Sequence, residues 1–163
     1  MDLYLVRHED AEEAEIDAHR SLSAVGRQRA QATGSLLAEQ DGRIDLIYSS
    51  PLVRAIQTAE ILALSLGLDE PLIVRPEIAS PPSIGTLLRM IAEPSPPCSG
   101  LAVVGHEPTL GVLATQILER PVPLHMKKGA ILCVRLDQAR GKGTFGWIIV
   151  GDGPRRIDDI AQY

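Results

Sequence analysis

The sequence predicts an α/β fold: three layers, with a mostly parallel central sheet of about six strands and helices on both of its faces. Three observations carry this. Short apolar-rich runs recur at residues 3–6, 44–49, 72–75 and 101–104, and the first and fourth are continuous, the mark of strands buried on both faces. Between these runs lie stretches with apolar residues at i, i+3, i+4 and i+7, the pattern of helices that pack by one side. Two further runs, 131–136 and 145–150, flank the turn-rich residues 138–143 and read as a hairpin appended to the sheet.

Each element follows in order. Leu3, Tyr4, Leu5 and Val6 form the first strand, which ends abruptly in Arg7, His8, Glu9 and Asp10. Residues 9–19 are polar and acidic and read as a surface loop. Ser23 is suited to cap a helix, because its hydroxyl can accept from a free N–H of the first turn. Val25, Ala32 and Leu36 share one face of that helix and Ala30 and Leu37 another, and it should stop around Gln40, Asp41 and Gly42. After the second strand, Ser50 and Pro51 look like the N-cap and first residue of a helix. Its stripe is Leu52, Ala55, Ile56, Ala59, Leu62, Ala63 and Leu66, and Gly67 is placed to end it. Arg54 lies off that stripe. The third strand, 72–75, runs into Pro76 and Glu77. A Pro- and Ser-rich segment with a short helix at 83–92 leads to the fourth strand, which ends in Gly105, His106, Glu107 and Pro108. Pro108 suits the first position of a helix carrying Leu110, Leu113, Ala114, Ile117 and Leu118. No element is assigned from Asp152 onward.

The totals bound the function. The 163 residues suit one domain, 1–163, with a sizeable core. With 45% apolar but only 3% aromatic residues, that core must be aliphatic. A net charge of −5 and a pI near 5.3 argue against a nucleic-acid partner, which would need a basic face. Cys98 and Cys133 lack metal-like spacing and are expected as reduced thiols of a cytoplasmic protein. No apolar run approaches a membrane span, and the first strand begins at once, so neither a membrane partner nor a signal peptide is expected. A monomer without a cofactor is the simplest reading.

The chemistry sits at strand ends. If the first, second and fourth strands are parallel, Arg7, His8, Arg54 and His106 gather at one edge of the sheet, where open α/β sheets bind ligands. Arg forks and helix N-termini both favour anions. Without a Gly-rich nucleotide loop, that much positive charge points to a phosphoryl group, with one histidine attacking phosphorus and the other stabilising the transferring oxygens. Two Arg and two His do not make a divalent-metal site. Ser49 and Ser50 lack the Gly-flanked elbow of a nucleophilic serine and read as caps. Arg20 serves either as a phosphate or carboxylate contact or as a surface ion pair.

These blocks resemble the histidine phosphatase superfamily, the phosphoglycerate-mutase-like proteins. Arg7 and His8 match the first two residues of the family's opening R-H-G, with Glu9 in place of the glycine. Leu22 to Ala30 is similar to its second block, Ser49 to Ala59 to its S-S-P-x-x-R-A-x-Q-T-A block, and Gly105 to Pro108 to its G-H-x-P block. The resemblance implies a phosphoglycerate-mutase-like fold and hydrolysis through a phosphohistidine on His8, with Arg7, Arg54 and His106 holding the phosphoryl oxygens. It also implies an acid at Glu77, where mutase-like relatives carry the Glu that protonates a leaving alcohol. Only residues 77–100 separate the third and fourth strands, whereas mutases and sugar phosphatases of the family carry longer insertions. The shortness, together with Arg20, Ser21, Leu22 and Ser23, is similar to the protein phosphohistidine phosphatases of the SixA type. The implied substrate is a phosphorylated protein such as a histidine-phosphotransfer domain. The alternatives are a small phosphoester, with Glu77 as acid, and a phosphate-binding protein with little turnover, with Glu9 crowding the pocket.

Overall fold

The strand β1 (Asp2–Arg7) is paired along both edges, parallel to β4 (Gly100–Gly105) and antiparallel to β5 (Ile131–Asp137). A computed structural model describes residues 1–40, 43–69, 72–79 and 83–163. Beyond β4 the sheet continues in parallel through β2 (Leu46–Ser49) and β3 (Leu72–Val74); beyond β5 it continues antiparallel through β6 (Lys142–Val150) and β7 (Arg155–Ile157). The order is β3-β2-β4-β1-β5-β6-β7. The seventh strand lies in the stretch that the sequence leaves unassigned. Arg155 and Arg156 are exposed and only Ile157 is buried, so β7 is an edge strand with no apolar run to announce it.

Alternation along β1 divides the core in two. Leu3 and Leu5 face one side with Leu101 and Val103 and pack with the helices α3 (Ile84–Ala92) and α4 (Thr109–Ile117) through Leu87, Ile91, Leu110, Leu113 and Ile117. Tyr4 and Val6 face the other side with Ala102 and Val104 and pack with α1 (Ala24–Ala38) and α2 (Val53–Leu66) through Leu37, Ala55, Ala59 and Leu62. The strands at the centre are apolar on both faces because both faces are covered.

The helix signals read from the sequence held at Ser23 and Gly67 and moved at others, and Ser83 adds a cap that the sequence reading did not name. Ser23 Oγ accepts from Gly26 N at 2.9 Å, Ser83 Oγ from Thr86 N at 3.1 Å, and Gly67 ends α2 in the left-handed region at φ 64°. The α2 helix, however, starts at Val53 with Leu52 as its N-cap. Ser50 Oγ accepts from Leu52 N instead, closing a two-residue turn before the helix. Pro108 stands just outside α4, as its N-cap. The α1 helix ends at Ala38 with Glu39 as its C-cap, just before the stop expected around Gln40; Asp41 and Gly42 of that expectation lie outside the described residues.

The buried face of α1 also differs from the expectation. Val25 and Ala32 are exposed, and the inward residues are Gly26, Ala30, Thr33, Gly34 and Leu37. Small residues face inward because α1 lies close against α2 and against the loop that follows β1. A Cβ at Gly34 would stand 2.5 Å from Ser65 Oγ, and one at Gly26 only 2.1 Å from the carbonyl oxygen of Asp10. The same loop is stitched to the helix by Ser23 N to Asp10 O at 3.0 Å and Ser23 Oγ to Asp10 Oδ2 at 3.1 Å. Gly26→Ala should therefore force the Asp10 loop off the helix. The expected cost is about 1–3 kcal/mol, the usual range for overpacking, measurable as a lower urea midpoint at an unchanged slope.

Candidate active site

Register places the two histidines side by side. Arg7, the last residue of β1, pairs with Gly105, the last residue of β4. His8 and His106 are thus the next residue of adjacent parallel strands. On the other flank of β4, Ser49 of β2 pairs with Val104, and Arg54 follows in the first turn of α2. Gly105 suits this crossing, since a Cβ there would meet Ile78 Cγ2 at 2.9 Å. The sequence-expected gathering of Arg7, His8, Arg54 and His106 at the carboxyl edge is the observed arrangement.

The His8 ring is held at both nitrogens. Nδ1 lies 2.7 Å from the carbonyl oxygen of Glu9, which can only accept, so Nδ1 carries the proton and donates. Arg54 Nε donates to His8 Nε2 at 3.2 Å, which requires a lone pair on Nε2. His8 is therefore a neutral imidazole with its free nitrogen turned to Arg54. Burial pushes its pKa down to about 4, against the opposing Glu9 carbonyl bond and with help from Arg54, His106 and Arg7. His106 Nε2 donates to the Ile78 carbonyl at 3.1 Å, and burial, then Arg54, lower its pKa too. Arg7 Nη1 donates to Met126 O at 2.6 Å. Among the described residues no group of three His, Cys, Asp or Glu gathers that could hold a metal ion.

Glu9 lies inside the protein. It is 1% exposed, in a stretch that the sequence presents as surface loop. Its Oε2 accepts from Asp10 N at 3.1 Å, and Oε1 packs on Gly129 and Gly151 where a Cβ would stand at 1.8 and 2.6 Å. Gly129 itself has φ 68°, the left-handed region open to glycine. With Arg7, Thr33 and Thr58, Glu9 lines a small cavity on the α1 and α2 side of the sheet. Burial raises its pKa above the ordinary glutamate range.

The other named residues fall as follows. Arg20 directs Nε to Glu12 O at 2.9 Å, Nη2 to Glu13 Oε1 at 3.0 Å and Nη1 to Asp17 Oδ1 at 3.4 Å, which is the ion-pair alternative. Glu77 sits in a 3₁₀ turn (Pro76–Ile78) directly after β3, paired with Arg75 at 3.3 Å and one residue from the carbonyl that holds His106. Ser49 and Ser50 are fully buried, and Ser49 Oγ donates to the Ser50 carbonyl. Asp17 was hidden from sequence reading among the acids of residues 9–17. In the structure its Oδ2 accepts from Arg54 Nη2 at 3.0 Å and its carbonyl from Nη1 at 2.8 Å.

With this geometry in place, comparison with known proteins is informative. A model of the histidine phosphatase superfamily (branch 1) matches residues 3–79. The phosphohistidine phosphatase SixA of Escherichia coli (strain K12) is 29% identical over 149 residues, covering 90% of this chain and 92% of that protein. An uncharacterised protein of Picosynechococcus sp. (strain ATCC 27264 / PCC 7002 / PR-6) is 33% identical over 147 residues, covering 86% and 88%. A solved structure of the protein histidine phosphatase SixA complexed with tungstate superposes with a TM-score of 0.86 at 27% identity, covering 93% of this chain and 98% of that one. The chain belongs to the histidine phosphatase superfamily. It has the phosphoglycerate-mutase-like fold and is a phosphatase of that superfamily.

Two measurements test the electrostatics. An unperturbed histidine titrates near about pH 6.5. The His8 ring, followed by 15N NMR, should instead keep its Nδ1–H tautomer from pH 8 down to about 5 and charge only near the value of about 4 given above. For Glu9, the folded pKa is raised, so burial costs nothing below the unfolded pKa, where both states are protonated. The cost grows as pH rises from there through the folded pKa. Glu9→Gln, neutral at every pH, should match the wild type in stability near about pH 4 and exceed it increasingly towards pH 8 in denaturant titrations.

Proposed function

We propose that this phosphatase hydrolyses phosphohistidine on a protein through a covalent intermediate on His8. The observation that carries the reading is the lone pair on His8 Nε2, kept unprotonated by the Nδ1 bond to Glu9 O and faced by Arg54 Nε. A nucleophilic imidazole must be neutral at working pH, and this one stays neutral well below it.

In the first step Nε2 attacks phosphorus in line. The new N–P bond forms as the substrate's N–P bond breaks, and the departing imidazole takes up a proton. Arg7, Arg54 and His106 bind the phosphoryl oxygens and offset the charge that spreads over them. A neutral His106 can serve a phosphoryl oxygen only as a donor, with its single N–H turned from the Ile78 carbonyl. In the second step water attacks phospho-His8, releasing phosphate and restoring the neutral ring. The sum is phosphohistidine plus water to histidine plus phosphate, with no metal or cofactor in either step. A protonated imidazole leaves far more readily than an alkoxide, so the reaction makes little demand on an acid. Glu77, already paired with Arg75, suits that modest demand.

The substrate side rests on access. Only residues 75–99 connect β3 to β4, a short cover that leaves room for a phosphate displayed on another protein. The tungstate of the related SixA structure is a tetrahedral oxyanion like phosphate, which agrees with a phosphoryl site. A phosphorylated histidine-phosphotransfer domain is the partner we favour, in a cytoplasmic setting and with this chain as a monomer. Among the described residues no helix is long and apolar enough to cross a membrane. The placement of Glu77 beside the Ile78–His106 contact supports a second reading, a small-phosphoester phosphatase with Glu77 as general acid.

An activity panel separates the two. A phosphorylated histidine-phosphotransfer domain should be dephosphorylated readily and p-nitrophenyl phosphate poorly. His8→Ala should abolish turnover and acid-labile phosphate labelling, and Glu77→Gln should leave the protein reaction nearly intact. Strong ester hydrolysis that disappears in Glu77→Gln would establish the second reading instead.

A further inference from the structure

The nitrogens of Arg54 are divided in a way that the catalytic roles above do not use. A guanidinium carries five N–H donors in a rigid plane. Nε spends its one donor on His8 Nε2. Each Nη spends one donor on Asp17, Nη1 on its carbonyl and Nη2 on Oδ2. One N–H on each Nη is then left for phosphoryl oxygens. Three bonds at three nitrogens fix both the plane of the guanidinium and its rotation, and two of the three are made by Asp17.

Asp17 is itself tied down. It opens the 3₁₀ turn Asp17–His19, which rests on α2. Its second carboxylate oxygen accepts from Arg20 Nη1, and Arg20 reaches on to Glu13 and to the Glu12 carbonyl. A line of contacts thus runs Glu13–Arg20–Asp17–Arg54–His8, from the exposed loop to the buried nucleophile. The burial gradient is steep: the side chain of Asp17 is 65% exposed and that of Arg54 is 8% exposed. The buried cation therefore finds its counter-charge at the surface, on a loop that sequence alone presents as solvated. The charge of Arg54 lowers the pKa of Asp17, first through the hydrogen bond, so the carboxylate is ionised throughout the neutral range.

We propose that Asp17 is the positioning residue for Arg54, turning its Nε towards the attacking nitrogen of His8, and that Arg20 positions Asp17 rather than touching the phosphate. This rests on the reading of His8 as nucleophile. It assigns work to two residues that the mechanism leaves idle. The arrangement has a competitor with the same contacts: a carboxylate on a phosphate-binding arginine can occupy the place of the phosphate, in which case Asp17 opposes substrate binding.

The test combines Asp17→Ala, Asp17→Asn and Arg20→Ala with three readouts on the intact chain. These are kcat and KM on a phosphorylated histidine-phosphotransfer domain, the Kd for inorganic phosphate, and the solvent exchange of the Arg54 Nε proton by NMR. Positioning predicts that Asp17→Ala lowers kcat by about 10- to 100-fold, the scale of a misplaced catalytic group. It also predicts a lowered melting temperature, because Arg54 loses its counter-charge, a phosphate Kd no tighter than wild type, and an Nε proton that exchanges freely. Asp17→Asn, which keeps an oxygen for Nη2, should restore exchange protection and turnover together. Arg20→Ala should shift all three readouts in the direction of Asp17→Ala, less far. Tighter phosphate binding with kcat unchanged or raised in Asp17→Ala overturns the proposal in favour of the competing role, and lost turnover with the Nε proton still protected overturns it as well. If the wild type fails to turn over any phosphohistidine substrate, the functional reading falls, and Nε exchange in Asp17→Ala still decides the positioning claim by itself.

Discussion

The parallel pairing of β1 with β4 is the constraint on which the rest depends. It sets Arg7 opposite Gly105, so that two histidines leave adjacent strands at the same level. A slip of one residue would turn every side chain of β1 to the other face, exchanging Leu3 and Leu5 for Tyr4 and Val6 in a core that is shaped differently on its two sides. The register is therefore held by two layers of aliphatic packing at once. Because β1 is also paired with β5, its end cannot fray, and the site inherits that rigidity. This is how a core with few aromatics supports a site that needs sub-ångström placement.

Electrostatics at the edge follow a second constraint. Burial makes a charged His8 ring costly, and Arg54, His106 and Arg7 add to that cost, so His8 stays neutral without an adjacent base. The only acceptor that its Nδ1 needs is the carbonyl of the next residue. Keeping Arg54 buried requires a carboxylate nearby. Asp17 supplies it from a flexible-looking acidic loop, and thereby that loop becomes part of the site's architecture.

The interior beneath the nucleophile is as specialised as the edge above it. Glu9 extends away from His8 into a space kept open by Gly129 and Gly151, and Gly26 admits the Asp10 carbonyl to the first turn of α1. The loop after β1 is thus clamped from both sides by positions without a side chain. A carboxylate in place of a family glycine is accommodated by glycines elsewhere, distant in sequence and adjacent in space.

What the sequence determined by itself was whatever depends on local period and on strand ends. The continuous apolar runs specified a sheet covered on both faces, the helical stripes specified its layers, and Arg7, His8, Arg54 and His106 each stand at the carboxyl end of a strand or in the turn just after one. Only the tertiary structure decided what depends on contacts between distant segments. Small residues facing a neighbouring helix carry no hydrophobic signal, so the buried face of α1 was not legible, and neither was β7, an edge strand with exposed arginines. The choice of Asp17 among several loop acids and the inward turn of Glu9 belong to the same class. Asp17 is chosen by Arg54, 37 residues further on, and Glu9 by the space that Gly129 and Gly151 leave open, whereas Arg20 pairs within its own loop, three to eight residues away, once that loop is folded.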